Sequence, residues 1–160
     1  MLMRMIGMSQ KRRNSMDESD WVEIDLKAVL NRFMTQGLTL DQAIEKVMRF
    51  ADLKADFKER ILLEVWRNQD GEMVEDEDGT YFPNDRDTMI SSISLDKEVT
   101  EKFLYNLFYK LRHDGLIETR IKLYKRRYYT LAKLSDRGLD ALKGLREDIK
   151  KCYIATTQVS

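Results

Sequence analysis

Lys125, Arg126 and Arg127 stand in a row between Tyr124 and Tyr128, cations framed by aromatic rings in what reads as the turn of a hairpin. Cations on a projecting tip suit a polyanion, because each phosphate they neutralise releases condensed counterions. Arg120 and Lys122 extend the same basic ribbon. A second group precedes it. Thr100, Lys102, Tyr105, Asn106, Tyr109 and Lys110 fall outside the apolar stripe of a helix-like run, where a helix seated in a nucleic-acid groove keeps its reading side chains. Asn106 suits paired hydrogen bonds to adenine, Lys102 a guanine edge or a phosphate, and Tyr105 or Tyr109 a thymine methyl or a phosphate. Glu101 can accept from cytosine or simply repel DNA. The same residue types have plainer uses: tyrosines at helical spacing also rim a core, and lysines also protect a hairpin edge in water.

Catalytic chemistry finds no such grouping. His113 is the single histidine, and it sits beside a helix terminus, where a cation is favoured for structural reasons. A Ser-His-Asp triad, a HExxH zinc site and a glycine-rich phosphate loop all lack the partners they need. No enzymatic activity, cofactor or metal is expected. The acidic run Asp70, Glu72, Glu75, Asp76, Glu77, Asp78, Asp85 and Asp87, against the lone base Arg86, invites comparison with a calcium loop. Placing Gly79 at the sixth position puts Asp76 and Asp78 at the third and fifth, but Val74 at the first and Asp85 at the twelfth, so the first ligand is lost. A solvated acidic turn is the preferred reading.

The chain has 160 residues, 42% of them hydrophobic, enough for one core or a small domain with a helical extension. Its 28 basic and 28 acidic residues cancel, so any argument for a nucleic-acid partner rests on their distribution. Cys152 is the only cysteine, which rules out an intrachain disulfide and asks for no oxidising compartment. The opening "MLMRMIGM" is interrupted by Arg4 and is too short for a signal-peptide core, and no run approaches the roughly 20 apolar residues of a membrane span. A cytoplasmic protein without membrane contact is expected.

The elements that must position these residues follow from periodicity. Residues 1–20 carry no pattern and read as a flexible arm. Leu26, Val29, Leu30, Phe33 and Met34 mark a helix stopped at Gly37. Thr39 and Gln42 form a capping box for a second, with Leu40, Ile44, Val47, Met48 and Ala51 as its stripe. Phe57, Ile61, Leu62, Val65 and Trp66 mark a third from Asp56 to Asn68. The three helices, joined by short links, read as a packed antiparallel cluster. "EMVE" and "TYFP" around Asp78-Gly79 suggest a short hairpin or a long loop. A short helix over 88–93 and a polar joint "SLDKE" lead to the helix from Thr100, whose buried side is Phe103, Leu104, Leu107, Phe108 and Leu111, and which Gly115 closes. The period then changes to two over 116–123 and 128–134. Ser135 can cap a last helix, weakened by Gly138, whose stripe Leu139, Leu142, Leu145 and Ile149 runs to Lys151 before a frayed "ATTQVS".

Short helix, joint, long helix closed by "DGLIE", basic hairpin, then "LSDRGLDAL": this order resembles the winged helix-turn-helix of MarR-like and PadR-like transcription regulators. Leu111, Gly115, Leu116, Ile117 and Glu118 stand where that family leaves its recognition helix and enters the wing, and Leu134, Ser135, Gly138 and Leu142 where it leaves the wing for the next helix. The resemblance covers about residues 86–150. The joint is longer than the family's and lacks glycine, and the acidic insertion at 70–87 and the helices of 26–51 have no counterpart.

The expected fold is therefore mainly α with a small β-hairpin (α+β): an arm at 1–20, a helical extension at 21–53 suited to dimerisation, a winged helix-turn-helix domain at 54–151, and a tail at 152–160. The resemblance implies a sequence-specific binder of double-stranded DNA, a transcriptional regulator acting as a homodimer. The recognition helix 100–114 would lie in the major groove and the wing 116–134 on the backbone or in the minor groove. Any small-molecule effector is left open. The alternative is an interaction adaptor that uses the winged helix as a scaffold without binding DNA, and single-strand binding through the tyrosines is a third possibility.

Overall fold

The computed structural model describes residues 18–51, 53, 55–77 and 79–158, with side-chain environments from Leu26 to Ala155. The expected arm lies largely outside them. The chain is mainly helical with two short antiparallel hairpins: α1 (Glu18–Thr35), α2 (Leu40–Phe50), α3 (Phe57–Asn68), β1 (Val74–Asp76), β2 (Gly79–Tyr81), α4 (Arg86–Lys97), α5 (Glu101–His113), β3 (Ile117–Tyr124), β4 (Arg127–Leu134) and α6 (Asp136–Gln158). No helix among the described residues is long and apolar enough to cross a membrane.

The chain divides into two compact units. One comprises residues 55–142; the other takes the described residues before 55 together with those from Lys143 on. In the latter, Thr39 accepts from the Gln42 N–H (3.1 Å) while the Gln42 side chain accepts from the Thr39 N–H (3.0 Å), the reciprocal cap expected of that pair. Leu26, Val29, Leu30, Ile44, Val47 and Met48 are buried, as are Leu145 and Ile149. The Tyr153 hydroxyl donates to Asn31 at 2.7 Å and Lys150 pairs with Asp41 at 3.2 Å. Leu145 and Ile149 of the terminal stripe thus find cover within their own chain, whereas Leu139 stays exposed. The last helix also runs on to Gln158, beyond the end at Lys151 that the apolar pattern suggested.

In the 55–142 unit, Asp56 caps α3 through a second capping box with Glu59. Ile61, Leu63 and Val65 of α3, Ile90 and Ile93 of α4, Leu104, Phe108 and Leu111 of α5, and Ile117, Ala132 and Leu134 of the long hairpin form its core. The helix expected at 88–93 begins at Arg86 and continues through "SLDK" to Lys97. The turn into α5 is thereby only Glu98, Val99 and Thr100: Glu98 takes a left-handed φ of 55°, and Thr100 accepts from the Phe103 N–H as N-cap. The polar joint was a helical turn because its leucine and lysine are sound helix formers. At the far end of α5, Gly115 (φ 79°) lets the Leu116 N–H reach the Leu111 carbonyl at 2.9 Å.

β3 and β4 pair in register from Ile117↔Leu134 to Tyr124↔Arg127. Residues 84 and 85 lie along the outer edge of β4: the Ala132 N–H donates to the Asn84 carbonyl (2.9 Å) and Asp85 bridges Leu131. Asp85 is buried, accepts from the Thr88 N–H (3.1 Å) as the α4 cap, and accepts from the Thr130 N–H (3.1 Å) with its other oxygen. This carboxylate is a structural fastener, unlike its exposed neighbours in the acidic run.

Candidate nucleic-acid interface

Helix α5 turns two different stripes outward. Lys102, Asn106 and Lys110, spaced four residues apart, are exposed, and among the described residues their side chains have no partner. Tyr105 and Tyr109 form the adjoining stripe, their rings stacked at 6.4 Å and 26°. Their hydroxyls are committed: Tyr105 donates to Asp87 at 2.7 Å, and Tyr109 accepts from Arg86 at 3.0 Å. The Arg86 guanidinium lies 5.5 Å from the Tyr105 ring and 5.8 Å from that of Tyr109, and Arg112 lies 5.4 Å from the latter on its own helix. Burial and the bond to Asp87 hold the Tyr105 hydroxyl protonated well above its usual range.

Asp87 is the hub of this group. Partial burial works against its charge, yet the bonds from Tyr105 and Arg86 and the charges of Arg86 and Arg127 outweigh it and hold the carboxyl below its usual range. Arg127, at the start of β4, thus acts on the same carboxylate that ties down α5. The sequence places Arg86 and Asp87 only within the acidic run and not among the site residues; the available signal is an isolated arginine within that run.

The hairpin distributes its cations unevenly. Cross-strand pairing puts Arg120, Lys122, Tyr124, Arg127, Tyr129 and Leu131 on one face. Tyr129 and Leu131 are buried there with Phe82, and Met73 and Tyr124 pack against them. Lys122 lies 5.9 Å from the Phe82 ring and Arg127 5.3 Å from that of Tyr129. A groove of about 390 Å³ between the two hairpins is lined in part by Arg120, Lys122, Phe82 and Tyr124. Lys125 bonds Glu75 of β1 at 2.8 Å, and Lys133 pairs with Glu118 at 3.5 Å. The sequence had set only Glu118 against this ribbon, but the acidic hairpin also meets it. Arg126 is exposed and, among the described residues, has no side-chain partner.

The turn is unusual in its backbone. Lys125 and Arg126 take φ of 47° and 66°, the pair of left-handed conformations that two-residue hairpins ordinarily assign to Asn-Gly. Side chains other than Asn, Asp and Gly are disfavoured there. On the opposite face, Ile121, Leu123 and Tyr128 are exposed by 63%, 58% and 70%. No family model, curated protein or solved structure matches this chain.

Proposed function

We propose that the protein binds double-stranded DNA through a winged helix-turn-helix and regulates transcription as a homodimer. The observation that carries the reading is the strained tip: a turn that Asn-Gly would form with less strain holds a lysine and an arginine in left-handed conformations. Strain retained at a projecting cationic tip is accounted for by a polyanionic ligand. Three further features support it. The turn before α5 is short, as a helix-turn-helix requires. An isolated bridge from Asp85 to Leu131 adds a third segment beside the hairpin. Lys102, Asn106 and Lys110 leave one stripe of α5 uncommitted, with donors suited to base edges and phosphates.

In this reading α5 enters the major groove with Asn106 on a base and Lys102 and Lys110 on bases or phosphates, while Arg126 lies on the backbone or in the minor groove. Thr100 caps the helix. Tyr105 and Tyr109 steady it through Arg86 and Asp87 and offer ring faces more than hydroxyls. Lys125 shares the tip with Arg126, and Arg120, Lys122 and Arg127 hold the ribbon positive behind it. Two copies would place two helices on adjacent half-sites.

Fluorescence titration of selected and random duplexes tests the assignment. Asn106→Ala should relax base preference by about 1–3 kcal/mol. Arg126→Gly should lower affinity for every duplex alike and reduce the salt slope by about one, while stabilising the fold by about 0.5–1 kcal/mol because glycine suits its φ. Equal losses on all sequences from both variants would refute the division between reading helix and anchoring wing.

A further inference from the structure

The 55–142 unit carries its own anionic occupant for the wing tip. Glu75 sits on β1 opposite Thr80, with one carboxylate oxygen receiving bonds from the Lys125 ammonium (2.8 Å), the Tyr124 hydroxyl (3.2 Å) and the Thr80 hydroxyl (3.3 Å). Two of these donors lie on the long hairpin, 49 and 50 residues away. The arrangement has a firm base and an open end. Phe82, just after β2, is buried and meets the rings of Tyr124 and Tyr129 edge to face at 6.0 and 4.7 Å, and Asn84 and Asp85 are fastened to β4. The carboxylate contact itself lies in solvent, where it is screened and exchanges readily. Hydrogen bonds and charge from Lys125, with the bond from Tyr124, hold the Glu75 carboxyl below its usual range, so it stays ionised at neutral pH.

An ammonium and a phenol converging on one anionic oxygen is also how a protein holds a nucleic-acid phosphate. The geometry points to Glu75 as a built-in competitor: in the free protein it occupies the phosphate-binding donors of the wing, and duplex DNA must displace it to reach Lys125 and Tyr124. This inference rests on the DNA-binding reading and adds its regulation. The acidic hairpin would lower affinity for every sequence, since it masks a backbone contact and no base-reading group. It would leave the ratio of specific to non-specific affinity as it is, because both kinds of complex lose the same backbone contact.

A double-mutant cycle on a random-sequence duplex at low salt decides it, with full-length protein and circular dichroism to confirm folding. Glu75→Gln should tighten binding roughly two- to fivefold and steepen the salt slope. Glu77→Gln makes the same change of net charge in the same hairpin and should have little effect. In a Lys125→Gln background the Glu75→Gln gain should vanish, because the masked donor is gone. A Glu75→Gln protein that binds like wild type, a Glu77→Gln gain of equal size, or a gain that persists without Lys125 would overturn the competition while leaving DNA binding intact. Wild type and all variants failing to retain duplex would overturn the DNA-binding reading and this inference with it.

Discussion

Asp87 shows how much of a surface is decided by a single side chain. Its carboxylate receives the Tyr105 hydroxyl, neutralises Arg86 and feels Arg127, so three segments distant in sequence converge on one charge. Its carboxyl is held below the unfolded value, so its contribution to stability is present above about pH 4, the ordinary aspartate range, and is lost as pH falls through the depressed folded value. Asp87→Asn should therefore cost under about 1 kcal/mol at pH 7, since the group is half exposed, and the difference from wild type should narrow as pH falls below the ordinary aspartate range. Urea titrations at pH 7 and pH 3 measure this. An unchanged gap at pH 3 would mean that the aspartate acts through shape rather than charge. Nothing local announces such a residue. Asp87 reads as one more member of an acidic run, and its partner Tyr105 becomes visible only when α4 and α5 pack.

Helix and strand boundaries were largely legible, because their signals lie within a few residues: the Thr39 and Gln42 cap, the period-two runs, the closure at Gly115. The misread elements are those where local and tertiary demands diverge. Gly138 reads as a weak point of the last helix, but a Cβ there would stand 2.2 Å from the Leu116 carbonyl oxygen and 3.2 Å from Leu134. The helix starts so close to the hairpin that only hydrogen fits. Ser135 reinforces that approach, donating to the Gly115 carbonyl and accepting from the Gly138 N–H at 3.2 Å. Gly144, in the same helix, faces open space. Gly138→Ala should destabilise by about 1–3 kcal/mol, whereas Gly144→Ala should stabilise by about 1 kcal/mol through helix propensity. Thermal melts of the two variants, moving in opposite directions, would separate packing from propensity within one element.

At the scale of the whole molecule, neutrality conceals a division of charge: Glu75 of the acidic short hairpin lies against a ribbon that carries most of its cations on one face. The sequence places both poles in view but not their contact. Leu145 and Ile149 are buried, as are Ile44, Val47 and Met48 of the extension expected to dimerise, so association between copies would draw on exposed apolar side chains such as Phe50 (57% exposed) or the Ile121, Leu123 and Tyr128 face. Light scattering over a range of micromolar concentrations should return twice the chain mass. A single-chain mass throughout would reduce the proposed DNA reader to one module on one half-site.

The acidic excursion leaves β4 and returns to it within a few rungs, with the Gln69 amide oxygen on the Leu134 N–H (3.0 Å) at one foot and Asn84 on Ala132 at the other. Since its ends are moored to the same strand, the stretch between Met73 and Phe82, which themselves pack on the long hairpin, can lengthen or shorten at a closure cost that grows only with the logarithm of its length. It is a natural graft position, where a lineage could exchange the tip of the short hairpin while the scaffold beneath stays as it is.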